Sequence, residues 1–257
     1  MTTTTPFRSP PAVISARTPD GAPPADPSPR SAARIAGVGY VALFALAMFA
    51  NFVVRLGLVA ADDPAATMAN LVEQEQLFRF GNAAFGIVFL IDVTVAWALY
   101  LLWRPAGAAR ALHAAWFRLI YTVFMGVGIV FLHLALQLAT GATFADRLDP
   151  AEREAWTMLA LELFNHTWLI GLAAFGVHLV LTGRLLRTSG AGSRLIGMVL
   201  MVAGGAYLFD TAANTLLPSY RDHEDVFLAI VAVPSIAAEL AFTWWLLRRG
   251  FGTEAAR

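Results

Sequence analysis

Residues 155–183, AWTMLALELFNHTWLIGLAAFGVHLVLTG, form an apolar run long enough to cross a bilayer, and Glu162, Asn165 and His166 stand inside it. An ionisable side chain in hydrocarbon costs about 2.5–3.5 kcal/mol on insertion scales, so such residues turn toward a protein interior or a watery cavity. Glu162 and His166 are four residues apart and share one helix face. The run therefore predicts a membrane helix and marks a polar site on it.

Composition extends that reading to the whole chain. With 58% hydrophobic and 14% charged residues among 257, and a mean hydropathy of +0.63, the chain predicts an all-α integral membrane protein with the lipid bilayer as its surroundings. Cysteine is absent, which excludes disulfides, thiolate catalysis and Cys-ligated metal centres. The formal charge is zero, so no nucleic-acid partner is expected, and the position of each charge carries the information.

Six runs, residues 35–60, 82–103, 114–140, 155–181, 195–217 and 226–247, reach the roughly 20 apolar residues of a span. They predict a bundle of six transmembrane helices over residues 34–250. Continuous apolar runs exclude a barrel, whose strands alternate, and leave helices as the way to satisfy every backbone group in lipid. Residues 1–33, rich in Thr, Pro, Ala and Ser, predict a disordered cytoplasmic tail, and residues 251–257 a short second one. The apolar run after Arg34 is too long for a cleaved leader and reads as an anchor span.

Arginines sort the connections. Arg8, Arg17, Arg30 and Arg34 flank the first span, Arg104 and Arg110 the second connection, Arg184, Arg187 and Arg194 the fourth, and Arg248, Arg249 and Arg257 the end. The remaining connections carry Asp62, Asp63, Glu73 and Glu75, then Asp146, Asp149, Glu152 and Glu154, then Asp222, Glu224 and Asp225. The positive-inside rule places both termini in the cytoplasm and the chain in the cell membrane.

Depth follows from about 1.5 Å per residue, counted from the outer edge of each run. Asp92 and His166 fall near the midplane, Glu239 close to it, Glu162, His133 and Asp210 about two turns in, Asn214 shallower, and Arg55 in the outer half. Arg118 and His178 fall in the cytoplasmic half, near enough to the interface to snorkel. Asp92, Glu162, Asp210 and Glu239 are then four acids with Arg55 as the one permanent cation. Even if Asp92 pairs with Arg55, three carboxylates remain uncompensated, so some of the acids are protonated, or His133 and His166 become cationic, or the layer holds a metal or organic cation.

The ligand-binding or proton-relay candidates are therefore Asp92, His166, Asp210, Glu239, Glu162, Arg55, His133, Asn165 and Asn214, the asparagines being more often interhelical bonding partners than ligands. Asp92, His166, Asp210 and Glu239 are expected to converge on one cavity and are the candidate ligands of a divalent metal. No residue is assigned a catalytic role. There is no phosphate loop and no HExxH; Glu162 and His166 are spaced by four where a di-iron bundle uses Glu-x-x-His. His133 and His166 do not specify a haem, which is disfavoured.

Several short motifs carry a resemblance. They are Arg34-Ile35-Ala36-Gly37, Asp92-Val93, Phe117-Arg118-Leu119, Ile170-Gly171-Leu172 with Phe175-Gly176 and His178, Gly205-Ala206-Tyr207-Leu208 with Asp210, and Glu239-Leu240. In this order and spacing, residues 34–250 resemble the bacterial multi-pass family catalogued as domain of unknown function 4386. The resemblance implies a six-helix membrane domain and no activity. It also implies a histidine ahead of Ile170-Gly171-Leu172, which here is His166, and it supplies no counterpart for His133.

Three function classes are compatible with this reading. The first is binding or proton-coupled translocation of a cation or small solute at an intramembrane polar site. The second is metal-dependent hydrolysis within the membrane, and the third a structural scaffold whose polar layer fixes helix registry. The topology is testable on its own. A reporter fused after Gly183 should read cytoplasmic and one after Thr140 external; the reverse at either place contradicts the arginine argument.

Overall fold

The computed structural model describes residues 26–60, 62–142, 144–190 and 193–252. Of the expected terminal tails, residues 1–25 and 253–257 lie outside these. Residues 29–33 do not belong to a tail but begin the first helix, because Ser28 accepts from the Ser31 amide at 3.2 Å and Pro29 suits the first helical position. That helix is α1 (Pro29–Leu58), whose stretch Phe49–Arg55 takes the wider π turn.

Polar caps set the other ends. Asp63 caps α2 (Pro64–Glu73) through the Ala66 amide at 2.8 Å, and α3 (Glu75–Trp103) follows directly. After α4 (Ala108–Thr140), Gly141 takes the left-handed conformation that closes a helix. Asp149 and Glu152 exchange bonds in a capping box at the head of α5 (Pro150–Thr188). Ser193 caps α6 (Arg194–Leu216), and α7 (Glu224–Phe251) is the last element.

All of these except α2 are long and apolar enough to cross a membrane, so the protein is a polytopic all-α membrane bundle. The sequence runs do not reveal α2, which is too short to span. It lies against α4 and α5. The Thr67 hydroxyl ties it to the Ala60 amide and carbonyl, each at 2.9 Å, and the Asn70 amide donates to the Leu58 carbonyl at 3.1 Å.

The spanning helices close into a ring: each packs on the next in sequence, and α7 returns to α1. Short connections make sequence neighbours antiparallel spatial neighbours. Between α5 and α6, Gly176 faces Gly204 and Gly183 faces Gly197. A Cβ on Gly176 would stand 2.7 Å from the Gly204 carbonyl oxygen, and one on Gly197 2.7 Å from that of Gly183. Only glycine lets these backbones approach so closely, and close packing is what joins helices where lipid is as apolar as the side chains.

The ring is not equally tight along its length. One cluster of buried side chains draws on all six spans at the arginine-rich end, whereas the second, at the acidic end, draws on α1 to α5 and includes nothing from α6 or α7. Contacts between α1 and α7 run from Arg30, which donates to the Gly250 and Gly252 carbonyls, to Tyr40, whose ring meets Phe242 edge-on at 5.7 Å. Beyond them the π turn carries α1 toward α3 and α5, where Val54 packs on Gly81 and Arg55 donates to Asn165. The seam between α1 and α7 therefore loosens from the arginine-rich end toward the acidic one.

Candidate functional site

Arg118 occupies the centre of the ring and is 2% exposed. Ala111, Ala114 and Ala115 precede it on the buried face of α4, with Thr122 and Met125 after it at helical spacing. The alanines leave room for the guanidinium. Its Nη2 donates to Asp92 Oδ1 at 2.5 Å, its Nη1 to the Tyr40 hydroxyl at 2.6 Å, and the same Nη1 lies 3.3 Å from His178 Nε2. The Thr122 hydroxyl bonds Asp92 Oδ2 and also reaches the Arg118 carbonyl. The guanidinium lies 4.8 Å from the Tyr40 ring centre and 5.5 Å from that of Phe175, so two aromatic faces add cation–π attraction.

His178 reads the geometry from the other side. Its Nδ1 is 2.9 Å from the Ala114 carbonyl, which can only accept, so Nδ1 carries the proton. Nε2 is then the lone-pair nitrogen that accepts from Arg118. The Arg118 Nε hydrogen is buried without a partner.

These groups share one level. Tyr40, Asp92, Arg118, His178, Tyr207 and Glu239 come from six different spans. Each lies roughly ten to thirteen residues from the arginine-rich end of its helix, about 15–20 Å at 1.5 Å per residue.

Beside the cluster lies a cavity of about 420 Å³, within the range of small-molecule sites. Asp92, Arg118 and Glu239 line it together with Tyr40, Tyr121, Trp168, Phe175 and Tyr207, while its outer wall is made by Val41, Phe44 and Ala45 of α1 and Leu240 of α7. Those four are exposed on the flank of the bundle. Half-buried Glu239 accepts from the Tyr207 hydroxyl at 3.4 Å. Among the described residues, no arginine or histidine lies within ion-pair distance of its carboxylate. Asp92 balances Arg118, and Glu239 is left over.

The nine candidates named from sequence separate into several places. Asp92 and Glu239 line the cavity. Asp92 pairs with Arg118 and not with Arg55, which instead donates to Asn51 at 2.8 Å and Asn165 at 2.9 Å and lies over the Phe164 ring. Arg55 and Asn165 thus bridge α1 to α5. Asp210 accepts from Tyr220 at 2.8 Å, with Asn214 reaching the same hydroxyl. Burial, and then the Asp210 carboxylate, push the Tyr220 hydroxyl above the usual tyrosine range, which keeps it a donor. Glu162 pairs with Arg221 at 3.2 Å on the surface, and His166 and His133 are exposed.

Convergence of Asp92, His166, Asp210 and Glu239 is therefore not what forms, and among the described residues no group of three or more His, Asp or Glu side chains is placed to hold a metal. The physical reason is length. α5 has 39 residues, about 58 Å of helix against a hydrocarbon core of roughly 30 Å, so much of it is surplus to a span and the polar residues along it need not share one level. His166 lies twelve residues from His178 along α5, about 18 Å from the Arg118 level.

Sequence reasoning placed Arg118 and His178 at the interface, because it counted from the edges of the apolar runs. α4 begins at Ala108 and α5 ends at Thr188, which moves both residues a further turn or more inward. A signal was present: the family-like motifs contain Asp92, Arg118, Phe175, His178, Tyr207 and Glu239, all of which meet here.

A family model described as "Domain of unknown function (DUF4386)" matches residues 35–250. An uncharacterized protein of Archaeoglobus fulgidus (strain ATCC 49558 / DSM 4304 / JCM 9628 / NBRC 100126 / VC-16) is 23% identical over 164 residues, covering 64% of this chain and 80% of that protein. No solved structure matches the chain.

Tyr40→Phe and His178→Leu should each cost about 1–3 kcal/mol, since each leaves a buried Arg118 N–H without its acceptor. His166→Leu, at an exposed position, should stay within about 0.5 kcal/mol. Unfolding in mixed detergent micelles checks this order; equal effects at His166 and His178 would contradict it.

Proposed function

The chain belongs to the DUF4386 family, whose description names no activity, and we propose that it binds a small organic cation in the central cavity with Glu239 as the counter-charge. One observation carries this reading. Glu239 lines an aromatic-walled cavity and, among the described residues, has no ion-pair partner, while the cluster's own cation is already matched by Asp92. Tyr40, Tyr121, Phe175, Trp168 and Tyr207 supply the π faces that attract ammonium groups. The cytoplasmic position of the arginine-rich end and location in the cell membrane belong to the same proposal and rest on the arginine distribution.

The cost of an unpaired ion favours a cation here. A carboxylate in a span without a cation costs several kcal/mol, which a bound cation offsets. The other titratable or charged groups of the cavity and cluster are Tyr40 on α1, Asp92 on α3, Arg118 and Tyr121 on α4, His178 on α5 and Tyr207 on α6. Arg118 and Asp92 cancel, which leaves Glu239 to respond. The registry-scaffold reading is favoured by a separate observation, that the Arg118–Asp92 pair is complete without any ligand. The two roles fall on different residues and coexist.

Binding of tetraphenylphosphonium to the protein in lipid nanodiscs tests the cation site. Glu239→Gln should weaken binding by about tenfold or more, about 1.4 kcal/mol. Equal affinity of the wild type and Glu239→Gln would contradict the proposal.

A further inference from the structure

The route into the cavity narrows the class of ligand. This step rests on the cation-site reading above and concerns where the cation comes from. The cavity spans from the buried Arg118 level to Val41, Phe44 and Ala45 of α1 and Leu240 of α7, which are exposed on the flank of the bundle. In a spanning helix, such flank positions meet acyl chains.

A second observation supports the same opening. Contacts between α1 and α7 at the arginine-rich end include those of Arg30, Arg34, Gly37 and Tyr40 with residues 242–252. The buried cluster of the acidic half includes no residue of α6 or α7. The π turn at Phe49–Arg55 and the Arg55–Asn165 bond hold that half of α1 toward α5. The cavity reaches the flank just beyond the Tyr40–Phe242 contact, where the seam between α1 and α7 begins to loosen.

We propose that the cavity takes a single-chain cationic amphiphile that enters sideways from the bilayer through the α1–α7 seam. Its ammonium head sits against Glu239 and the tyrosine rings, and its alkyl tail lies along Phe44 and Leu240 and runs out into lipid. The polarity of the walls matches that division: the polar groups lie at the inner end and the flank residues are apolar. A ligand held by a short head and a membrane-dissolved tail needs no aqueous path through either end of the bundle.

Two probes with one head separate entry from binding. Decyltrimethylammonium partitions into membranes, whereas tetramethylammonium stays in water; each is measured by displacement of tetraphenylphosphonium from the nanodisc-embedded protein. The proposal expects decyltrimethylammonium to displace at concentrations at least about a hundredfold lower in the aqueous phase. It also expects Ala45→Trp, and independently Leu240→Trp, to weaken the long-chain probe about tenfold or more relative to tetramethylammonium, with unfolding in mixed detergent micelles reporting that each variant is folded. Equal displacement by the two probes, or both seam variants binding the long chain like the wild type, overturns lateral entry and leaves the Glu239 site standing. Absence of Glu239-dependent binding of either probe overturns the cation site itself and this inference with it.

Discussion

Everything at the core of this bundle is arranged around one buried cation. Arg118 sits at a depth where an unpaired guanidinium would cost several kcal/mol or more, and the fold meets that cost on every side. Asp92 neutralises it, Tyr40 and His178 accept from it, and the Tyr40 and Phe175 rings face it. Because these partners come from α1, α3 and α5, the side chain of one residue on α4 fixes the rotation and height of three neighbouring helices. A slip of any of them by one residue would strand a charge or an N–H in an apolar interior.

The same arrangement explains why Glu239 is the reactive group of the layer. Arg118 is used up by Asp92, and Asp92 has both carboxylate oxygens bonded. Glu239, on the opposite side of the cavity, has one long bond from Tyr207. A lock and a site thus occupy one level of the bundle, with the lock giving register and the site keeping an unspent charge. The glycine contact holds α5 tightly to α6, while the seam between α1 and α7 is looser in the acidic half of the ring.

The number of spans and their order were legible in the sequence, because length and hydropathy decide them and no tertiary detail is needed. Counting brought Asp92 and Glu239 to similar heights, and the two line one cavity. Arg118 was not placed with them, because a lone arginine near the edge of an apolar run reads as a snorkelling residue, and only a partner on another helix makes burial affordable. His166 and Glu162 are exposed and stand apart from that level, because α5 is far longer than a span needs and hydropathy along it does not say which stretch carries the site. The pairing of Arg55 with Asn165 in place of Asp92 depends on the π turn of α1, which has no period in the sequence to announce it.

The Arg118–Asp92 pair is the claim on which the rest depends, and a double-mutant cycle measures it most directly. Unfolding of Arg118→Leu, Asp92→Leu and the double variant would be compared in mixed detergent micelles. The account predicts that each single substitution costs about 3–5 kcal/mol, because each leaves one buried charge alone, and that the double variant regains most of that loss. Costs that simply add in the double variant would show that the two side chains do not meet in the membrane, and would contradict the account.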